Sequence, residues 1–249
     1  MSTGTVSSPL AVISGAGGGL APVVARAFAA AGYRLALVTR PGSENAVEPL
    51  VAELAGGVPA DRAQSVAAFG IDLAAPAACA AGMRRVEAEM GPAAALLNLA
   101  GGFAMGGPVD EGPEVLERML RVNLHTAVNA TAALLPGMRE RGHGFVAAIG
   151  ANAVLAPAPG MTAYAAAKGA LAVFMRSLAA EVDKAGVTVS LLVPAGAIDT
   201  PGNRAAMPKS DPNNWLDPGS LAAALLYLAG TGAGGPQHPQ KKRPPQKPP

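Results

Sequence analysis

A glycine-rich turn between a buried strand and a helix constrains the fold of this chain more than any other feature. The apolar run 10–14 ends at the turn 15–19, and a helical pattern then continues from Ala21 to Gly32. A second apolar run, 34–40, follows directly. A strand, a glycine turn, a helix and a second strand at this spacing form a βαβ unit, which predicts a parallel sheet.

The same alternation continues along the rest of the chain. Strands are predicted near 65–69, 93–97, 144–149 and 187–193, and helices over 47–54, 77–90, 113–135, the run around Tyr164 and 221–228. Repeated βα units predict an α/β fold, a single Rossmann-like doubly wound parallel sheet with helices on both faces. Because no apolar run follows Gly230, we expect the last strand of such a sheet to be missing.

The composition divides the chain into three parts. Residues 1–9 are small and polar and predict a flexible N-terminus, while 10–230 form one Rossmann-like domain. Residues 231–249 are rich in Pro, Gln and Lys, a composition typical of disorder. The tail holds four of the 19 basic residues, which leaves 15 against 17 acids, so we expect no nucleic-acid surface.

Other counts exclude further classes of protein. Cys79 is the only cysteine, which excludes an intrachain disulfide and fits a reducing cytoplasm. No secretory signal or membrane-spanning apolar run is visible, so we expect a cytoplasmic protein without membrane contact. Histidines lack a second ligand at metal spacing, so no metal is predicted. Charged residues make up only 14%, which favours a homo-oligomer, a dimer or tetramer, through extensive subunit contact.

The glycine turn also predicts a cofactor. Gly15, Gly17 and Gly19 would let a pyrophosphate approach the backbone, and the following helix presents free N–H groups. The second strand ends in Val38-Thr39-Arg40, with no acid to bind a ribose hydroxyl. Because an arginine there accommodates a 2′-phosphate, we predict that NADP(H) is preferred over NAD(H).

Tyr164 and Lys168 are the candidate proton-transfer residues. They lie four apart in an alanine-rich helical run, hence on one face of a helix. A free phenol has a pKa near ~10, and an ammonium one turn away lowers it toward neutral pH. On its own, such a pair also fits two unrelated surface neighbours.

Together these motifs resemble the short-chain dehydrogenase/reductase family over about 10–230. The turn 14–21 is similar to the family's Thr-Gly-x-x-x-Gly-x-Gly, with Ser14 for Thr and Ala21 for the last Gly. Residues 98–101 resemble its Asn-Asn-Ala-Gly, with Leu99 for the second Asn. Tyr164 and Lys168 fall where the catalytic pair belongs, and this order and spacing disfavour surface neighbours.

The resemblance implies a role for each matching position. Asn123 would hold a water behind the lysine and complete a catalytic set with Tyr164 and Lys168. The implied cofactor-binding residues are Ser14, Gly15, Gly17, Gly19, Leu20, Arg40, Asp72, Leu73, Asn98, Ala100, Gly101, Tyr164, Lys168, Ile198 and Thr200. Asp72 would touch the adenine, and Ile198 and Thr200 the nicotinamide carboxamide.

One position departs from the family pattern. The serine expected thirteen residues before the tyrosine is Ala151, which has no hydrogen bond to donate to a carbonyl oxygen. Three readings stay open at this point. The protein is a nucleotide binder that has lost catalysis, or Asn152 or Thr162 supplies the missing donor, or the acceptor does not need a second donor.

Two further stretches resemble the quinonoid dihydropteridine reductases, a branch that also has alanine at this position. They are 159–170 and 199–215, the second of which would form a lid with Trp215 near the substrate. That resemblance implies hydride transfer to a conjugated C=N or C=O acceptor with tyrosine as proton donor, and substrate contacts at Ala151, Asn152 and Trp215. The alternative is a carbonyl or 3-oxoacyl reductase that uses another donor.

Overall fold

The computed structural model describes residues 8–56, 65–156 and 158–231 and contains a six-stranded parallel sheet. The strands are β1 (Leu10–Ser14), β2 (Arg34–Thr39), β3 (Val66–Gly70), β4 (Ala93–Asn98), β5 (Gly144–Ile149) and β6 (Val187–Leu192). They lie in the order β3-β2-β1-β4-β5-β6, with every neighbouring pair parallel. The order reverses between β1 and β4, which confirms the doubly wound sheet.

Helices cover both faces of this sheet. They are α1 (Ala21–Ala30), α2 (Glu48–Gly56), α3 (Pro76–Met90), α4 (Pro108–Glu111), α5 (Glu114–Leu120), α6 (Thr126–Arg141), α7 (Thr162–Glu181), α8 (Pro201–Ala206) and α9 (Pro218–Thr231). Side chains of α3, α6 and α7 form the core on one face. Side chains of α1, α2 and α9 form the core on the other.

The burial of the central strand β1 explains why the strands appear in the sequence as continuous apolar runs. Leu10 and Val12 lie in the α3/α6/α7 core, whereas Ala11 and Ile13 lie in the α1/α2/α9 core. All four are fully buried. Because side chains alternate between the two faces, a strand covered on both sides must be apolar at every position.

The long helix predicted over 113–135 differs from the prediction in two ways. The helix passes through a π-helical segment, Arg121–His125, and then continues as α6 to Arg141. Pro136 lies inside α6, although proline removes one helical hydrogen bond. The buried side chains of Leu134 and Met138, on either side of the proline, keep the helix packed on the sheet.

Several predictions concern residues that the structure does not describe. Residues 1–7 and 232–249 lie outside the described part, so the flexible N-terminus, the disordered tail and the missing last strand stay predictions. Helix α9 begins earlier and ends later than the predicted 221–228.

A serine at the end of β1 joins the two halves of the sheet. The hydroxyl oxygen of Ser14, which is buried, accepts hydrogen bonds from the backbone N–H groups of Leu99 and Ala100, each at 3.1 Å. Gly15 follows with φ +69°, and a Cβ there would lie 2.7 Å from the Cα of Ala100. The backbone that follows β1 therefore touches the backbone that follows β4, and this close approach requires glycine at position 15.

We predict that Ser14→Ala lowers the free energy of unfolding by about 1–3 kcal/mol, because the Ala100 amide loses its acceptor and the Leu99 amide keeps only its bond to the Leu97 carbonyl. Ser14→Thr keeps the hydroxyl and is expected to retain most of the stability. Urea denaturation of the three proteins measures the difference. An alanine variant as stable as the parent, or a threonine variant equally destabilised, would contradict the role of the hydroxyl.

Candidate active site

The predicted site residues collect at the carboxyl ends of the parallel strands. Ser14 ends β1, Asn98 ends β4, and Ala151 follows β5 by two residues. The start of α7 brings Tyr164 and Lys168 to the same edge. In a doubly wound sheet this edge, beside the reversal of strand order, is where ligands bind.

The glycine turn forms an open cradle at the start of α1. Residues 17–19 are exposed, and α1 begins after Leu20 without a side-chain cap and without an acid in its first turn. Among the described residues the N–H groups of Gly19, Leu20 and Ala21 have no partner, whereas Pro22 has no N–H and Val23 donates to the Leu20 carbonyl at 3.2 Å. The helix dipole favours an anion at this end of α1. Gly15, Gly17, Gly19 and Leu20, which are predicted to bind a pyrophosphate, line this turn, and that role stays a prediction.

The predicted lid residues lie against this turn. A Cβ on Gly19 would lie 2.8 Å from the Cβ of Thr200, so the two backbones meet closely. Thr200 caps α8 by accepting from the N–H of Asn203 at 3.3 Å, and the Asn203 amide donates to the carbonyl of Ile198 at 2.8 Å. Asn203 therefore fixes both predicted carboxamide-binding residues, a role that the sequence did not predict.

The predicted adenosine end of the site lies beyond β2 and β3. Arg40 directly follows β2 and is exposed, and within the described residues its guanidinium makes no hydrogen bond or ion pair. Asp72 accepts from the N–H of Ala74 at 3.0 Å, and Leu73 is buried with its carbonyl bonded to Asn129. Among the described residues Arg40 is thus an exposed cation without a partner at the end of β2.

Lys168 is a buried cation attached to the end of β5. Its side chain is only 7% exposed, and its ammonium donates to the carbonyl of Ile149 at 2.9 Å. Across the described ranges no carboxylate pairs with it. Burial disfavours the charged form, which lowers the pKa of Lys168 to about 8.

The Tyr164 phenol is half-buried and lies beside an aromatic side chain. Its ring meets Phe103 edge to face, with the centroids 5.0 Å apart. The hydroxyl has no hydrogen-bond partner in the described part of the chain. Burial raises the pKa of Tyr164, opposite to the predicted lowering. The reason is that the Lys168 ammonium points to Ile149 while the phenol is desolvated by its neighbours.

Asn123 lies in the π-helical segment and is fully buried. Its amide exchanges two hydrogen bonds with the backbone of Gly102, of 2.9 and 3.2 Å, and also donates to the carbonyl of Met119. A Cβ on Gly101 would lie 2.9 Å from the Asn123 Oδ1 and 3.5 Å from the Lys168 Nζ. The asparagine thus holds the segment after β4 in place and shares a small space with the lysine.

The residues predicted to contact the substrate lie at two different 3-10 turns. Ala151 is nearly buried, and Asn152 is exposed at the start of a 3-10 turn, 152–154. Trp215 is half-buried after a second 3-10 turn, 212–214, and among the described rings the partner of Tyr164 is Phe103 instead. An aromatic residue directly after Gly101-Gly102, at a strand's carboxyl end, was the signal that could have identified Phe103.

Comparisons with known proteins agree with this architecture. The family model described as short chain dehydrogenase matches residues 9–211. The chain belongs to the short chain dehydrogenase family. Within this family, a solved metagenomic short-chain oxidoreductase in complex with NADP is 27% identical, with a TM-score of 0.74 over 90% of this chain and 91% of that one.

Two curated relatives of the short chain dehydrogenase family show how much of each protein is shared. A short chain dehydrogenase of Pseudocercospora fijiensis is 33% identical over 202 residues, 79% of this chain but only 62% of the relative. The inactive 2-(S)-hydroxypropyl-CoM dehydrogenase 2 of Xanthobacter autotrophicus is 31% identical over 225 residues, 84% of this chain and 93% of the relative. Among the helices described for this family member, none is long and apolar enough to cross a membrane.

The buried ammonium predicts a pH-dependent stability. We expect Lys168→Met to be more stable than the parent at pH 7, because the parent buries a charge whose pKa falls from 10.5 to about 8. That shift corresponds to roughly 3 kcal/mol, less about 1 kcal/mol for the lost hydrogen bond to Ile149. Denaturant unfolding of both proteins at pH 7 and pH 10 measures the gap.

The direction of this pH dependence follows because the pKa of Lys168 is lower in the folded state than in the unfolded state. Below about pH 8 both states of the parent carry the proton, so the penalty is present in full. As the pH rises from 8 toward 10.5, the folded state loses its proton first and the penalty shrinks. A stability gap that does not narrow at pH 10 would show that Lys168 is not buried as a cation.

Proposed function

We propose that this protein is an NADPH-dependent reductase that transfers a hydride to a conjugated C=N or C=O acceptor, with Tyr164 as the proton donor. The observation that carries the proposal is the Tyr164 phenol, half-buried at the carboxyl edge of the sheet with its hydroxyl unpartnered in the described chain. An unpartnered donor beside a buried cation is suited to meet a substrate oxygen or nitrogen.

The proposed cofactor site follows the donor groups along the sheet edge. Bound NADPH supplies the hydride. The turn 15–20 would hold the pyrophosphate, Arg40 the 2′-phosphate, and Asp72 with Leu73 the adenine. The nicotinamide half would lie against Asn98, Ala100 and Gly101 on one side and against Ile198 and Thr200 on the other. The solved relative in complex with NADP supports the binding of a cofactor of this kind to such a fold.

The proton would reach the acceptor through the buried polar groups around Tyr164. Lys168, with a pKa of about 8, exchanges a proton near neutral pH more readily than an ordinary lysine. One lone pair of the Asn123 Oδ1 is left by the bond from Gly102, in the same small space as the Lys168 Nζ. A water held there would connect the lysine to solvent.

The kind of acceptor is inferred from what the site lacks. Ala151 offers no hydroxyl, so negative charge that develops on the acceptor meets one phenol rather than two donors. A conjugated acceptor spreads that charge over several atoms and needs less help, as in the dihydropteridine reductases that the sequence resembles. The alternative, a carbonyl or 3-oxoacyl reductase, requires a second donor such as Asn152, whose exposed side chain is at the right end of β5.

The remaining parts of the proposal concern where and how the protein acts. We propose a cytoplasmic homo-oligomer, a dimer or tetramer, acting on a small molecule without nucleic-acid or membrane partners. Val173, 63% exposed on the outer face of α7, is an apolar side chain that a subunit contact would cover.

A second candidate function is nucleotide binding without catalysis. Ala151 supports it, and so does the similarity to a relative named as inactive. This candidate predicts tight NADPH binding and no NADPH oxidation with quinonoid dihydropterin, ketones or quinones.

We expect Tyr164→Phe to lower turnover with any acceptor from this panel by at least about 100-fold, because the proton donor is removed. The NADPH dissociation constant should change less than about two-fold, since the ring remains. NADPH oxidation at 340 nm and a fluorescence titration measure the two quantities.

The matched control is Tyr33→Phe, which removes a buried hydroxyl from the other face of the sheet. It should leave turnover unchanged. Full activity in Tyr164→Phe would refute the role of the phenol, and a parent that binds NADPH but reduces nothing would favour the second candidate.

The cofactor preference depends on Arg40. We expect Arg40→Ala to raise the KM for NADPH about 10-fold while the KM for NADH stays the same, because only NADPH carries the 2′-phosphate. Arg84→Ala, which removes an equally exposed arginine on α3, is the control and should change neither constant. A parent protein that clearly prefers NADH would show that Arg40 does not select the cofactor.

A further inference from the structure

Exposed apolar side chains are concentrated around Tyr164. In the described chain seven large apolar side chains are exposed, and four of them lie at the carboxyl edge of the sheet. We call these four, Phe103, Met105, Leu155 and Val193, the apolar collar. They are between 40% and 73% exposed, and exposed apolar side chains that lie together mark a surface that a ligand or a partner covers.

Two members of the collar belong to the strap 102–107 that follows β4. Phe103 contacts the Tyr164 ring edge to face. Met105 lies against the chain before α7, since a Cβ on Gly160 would be 2.8 Å from the Met105 Cε. The N–H of Gly106 also donates to the carbonyl of Gly160 at 2.8 Å. The strap is therefore attached to the segment that leads into Tyr164.

The other two members lie beside the chain that leaves β5. Leu155 ends the 3-10 turn 152–154, which packs against α7. Its N–H donates to the carbonyl of Asn152 at 2.8 Å. Val193 follows β6, and a Cβ on Gly150 would lie 3.1 Å from its Cγ2. The four side chains thus follow β4, β5 and β6 at the carboxyl edge of the sheet, where Phe103 contacts the Tyr164 ring.

The collar segments carry no charge. The sequences 99–107, 150–163 and 193–198 contain no Asp, Glu, Lys, Arg or His. Two charges of the lid, Asp199 and Arg204, pair with each other at 2.6 and 2.8 Å. The carboxylate of Glu111 contacts Gly106 of the strap, which disfavours anions. A charged acceptor would lose its hydration beside these uncharged segments, and the buried Lys168 ammonium already donates to the Ile149 carbonyl.

We infer that the acceptor is an uncharged, largely apolar carbonyl compound with an aromatic or quinone ring, and that Phe103 selects it by packing against that ring. The inference rests on the proposed function. An aromatic body would cover the collar, and ring contacts with Phe103 favour it over an aliphatic one. Polar pterins and phosphate-bearing thioesters fit this uncharged, donor-poor edge less well.

With a ketone as the acceptor, every atom and electron of the proposed step is accounted for. The carbonyl carbon gains a hydride from NADPH and the oxygen gains the Tyr164 proton. The C=O π bond breaks, new C–H and O–H bonds form, and the products are an alcohol and NADP⁺. The phenolate of Tyr164 then regains a proton from solvent.

The test compares acceptors under one set of conditions. With NADPH in excess, 1-tetralone and 9,10-phenanthrenequinone should show a kcat/KM at least about 10-fold above that of acetoacetyl-CoA and of quinonoid dihydropterin. A preference for the thioester or the pterin would overturn the inference while leaving the reductase itself established. If NADPH binds and no acceptor is reduced, the proposed function fails instead.

A binding measurement tests the collar independently of turnover. Calorimetric titration of 1-tetralone into Tyr164→Phe, with NADPH bound, should show binding that Phe103→Ala in the same background weakens about 10-fold or more. Phe103→Tyr in the Tyr164→Phe background should bind 1-tetralone nearly as well as Tyr164→Phe alone, because the ring at position 103 is kept. Tyr227→Ala, which removes an exposed aromatic residue on α9, is the matched control and should bind unchanged.

The same variants separate a substrate site from a subunit contact. Size-exclusion chromatography with light scattering should give one oligomeric state for the parent and Phe103→Ala. If Phe103→Ala alters the oligomeric state and leaves tetralone binding intact, the collar is covered by a second copy of the chain. That result, or undetectable tetralone binding in every variant, would overturn the inference.

Discussion

A buried lysine imposes the constraint on which the candidate site depends. An ammonium removed from water is unfavourable, and the single described bond from Lys168 to the Ile149 carbonyl offsets only part of that cost. The surrounding structure must therefore be rigid enough to keep the lysine buried. Rigidity comes from β5, every residue of which is buried, and from α7, which packs on the α3/α6/α7 core through Leu171 and Met175. The buried cation thus lowers the stability of the fold that holds it, and such a cost is typical of functional residues.

The π-helical segment follows from the same constraint. A regular helix through 121–125 would turn the Asn123 side chain to a different angle, whereas the wider π turn lets its amide bond the backbone of Gly102 on both sides. That bond fixes the chain after β4, where Gly101 has no side chain and leaves room between Asn123 and Lys168. Together with Ser14, which holds Leu99 and Ala100, Asn123 sets the path of the whole segment after β4. Both polar side chains therefore hold the backbone that follows β4.

The sequence predicted the parts of the structure that depend on local pattern. Continuous apolar runs identified all six described strands, since a strand buried on both faces tolerates few polar residues, and the spacing of glycines identified the turn before α1. The π-helical segment and the passage of α6 through Pro136 were missed, because both depend on tertiary packing that overrides local preference. The pKa of Tyr164 was predicted in the wrong direction for a similar reason. Helical spacing placed Lys168 one turn away, but only the structure shows its ammonium directed to Ile149.

The alanine at position 151 and the apolar collar together favour a single kind of chemistry. In a polar, water-filled site, loss of a hydroxyl donor would be partly replaced by water, and the remaining phenol would contribute little. At an apolar edge, water would be excluded once a ligand covers Phe103 and its neighbours, and the proposed hydrogen bond from Tyr164 would become stronger in the lower dielectric. The raised pKa of the phenol agrees with this, because a phenol that keeps its proton is a donor rather than a base in the ligand-free protein. Ala151 is then consistent with an acceptor that brings its own charge delocalisation, and loss of catalysis is not needed to explain it.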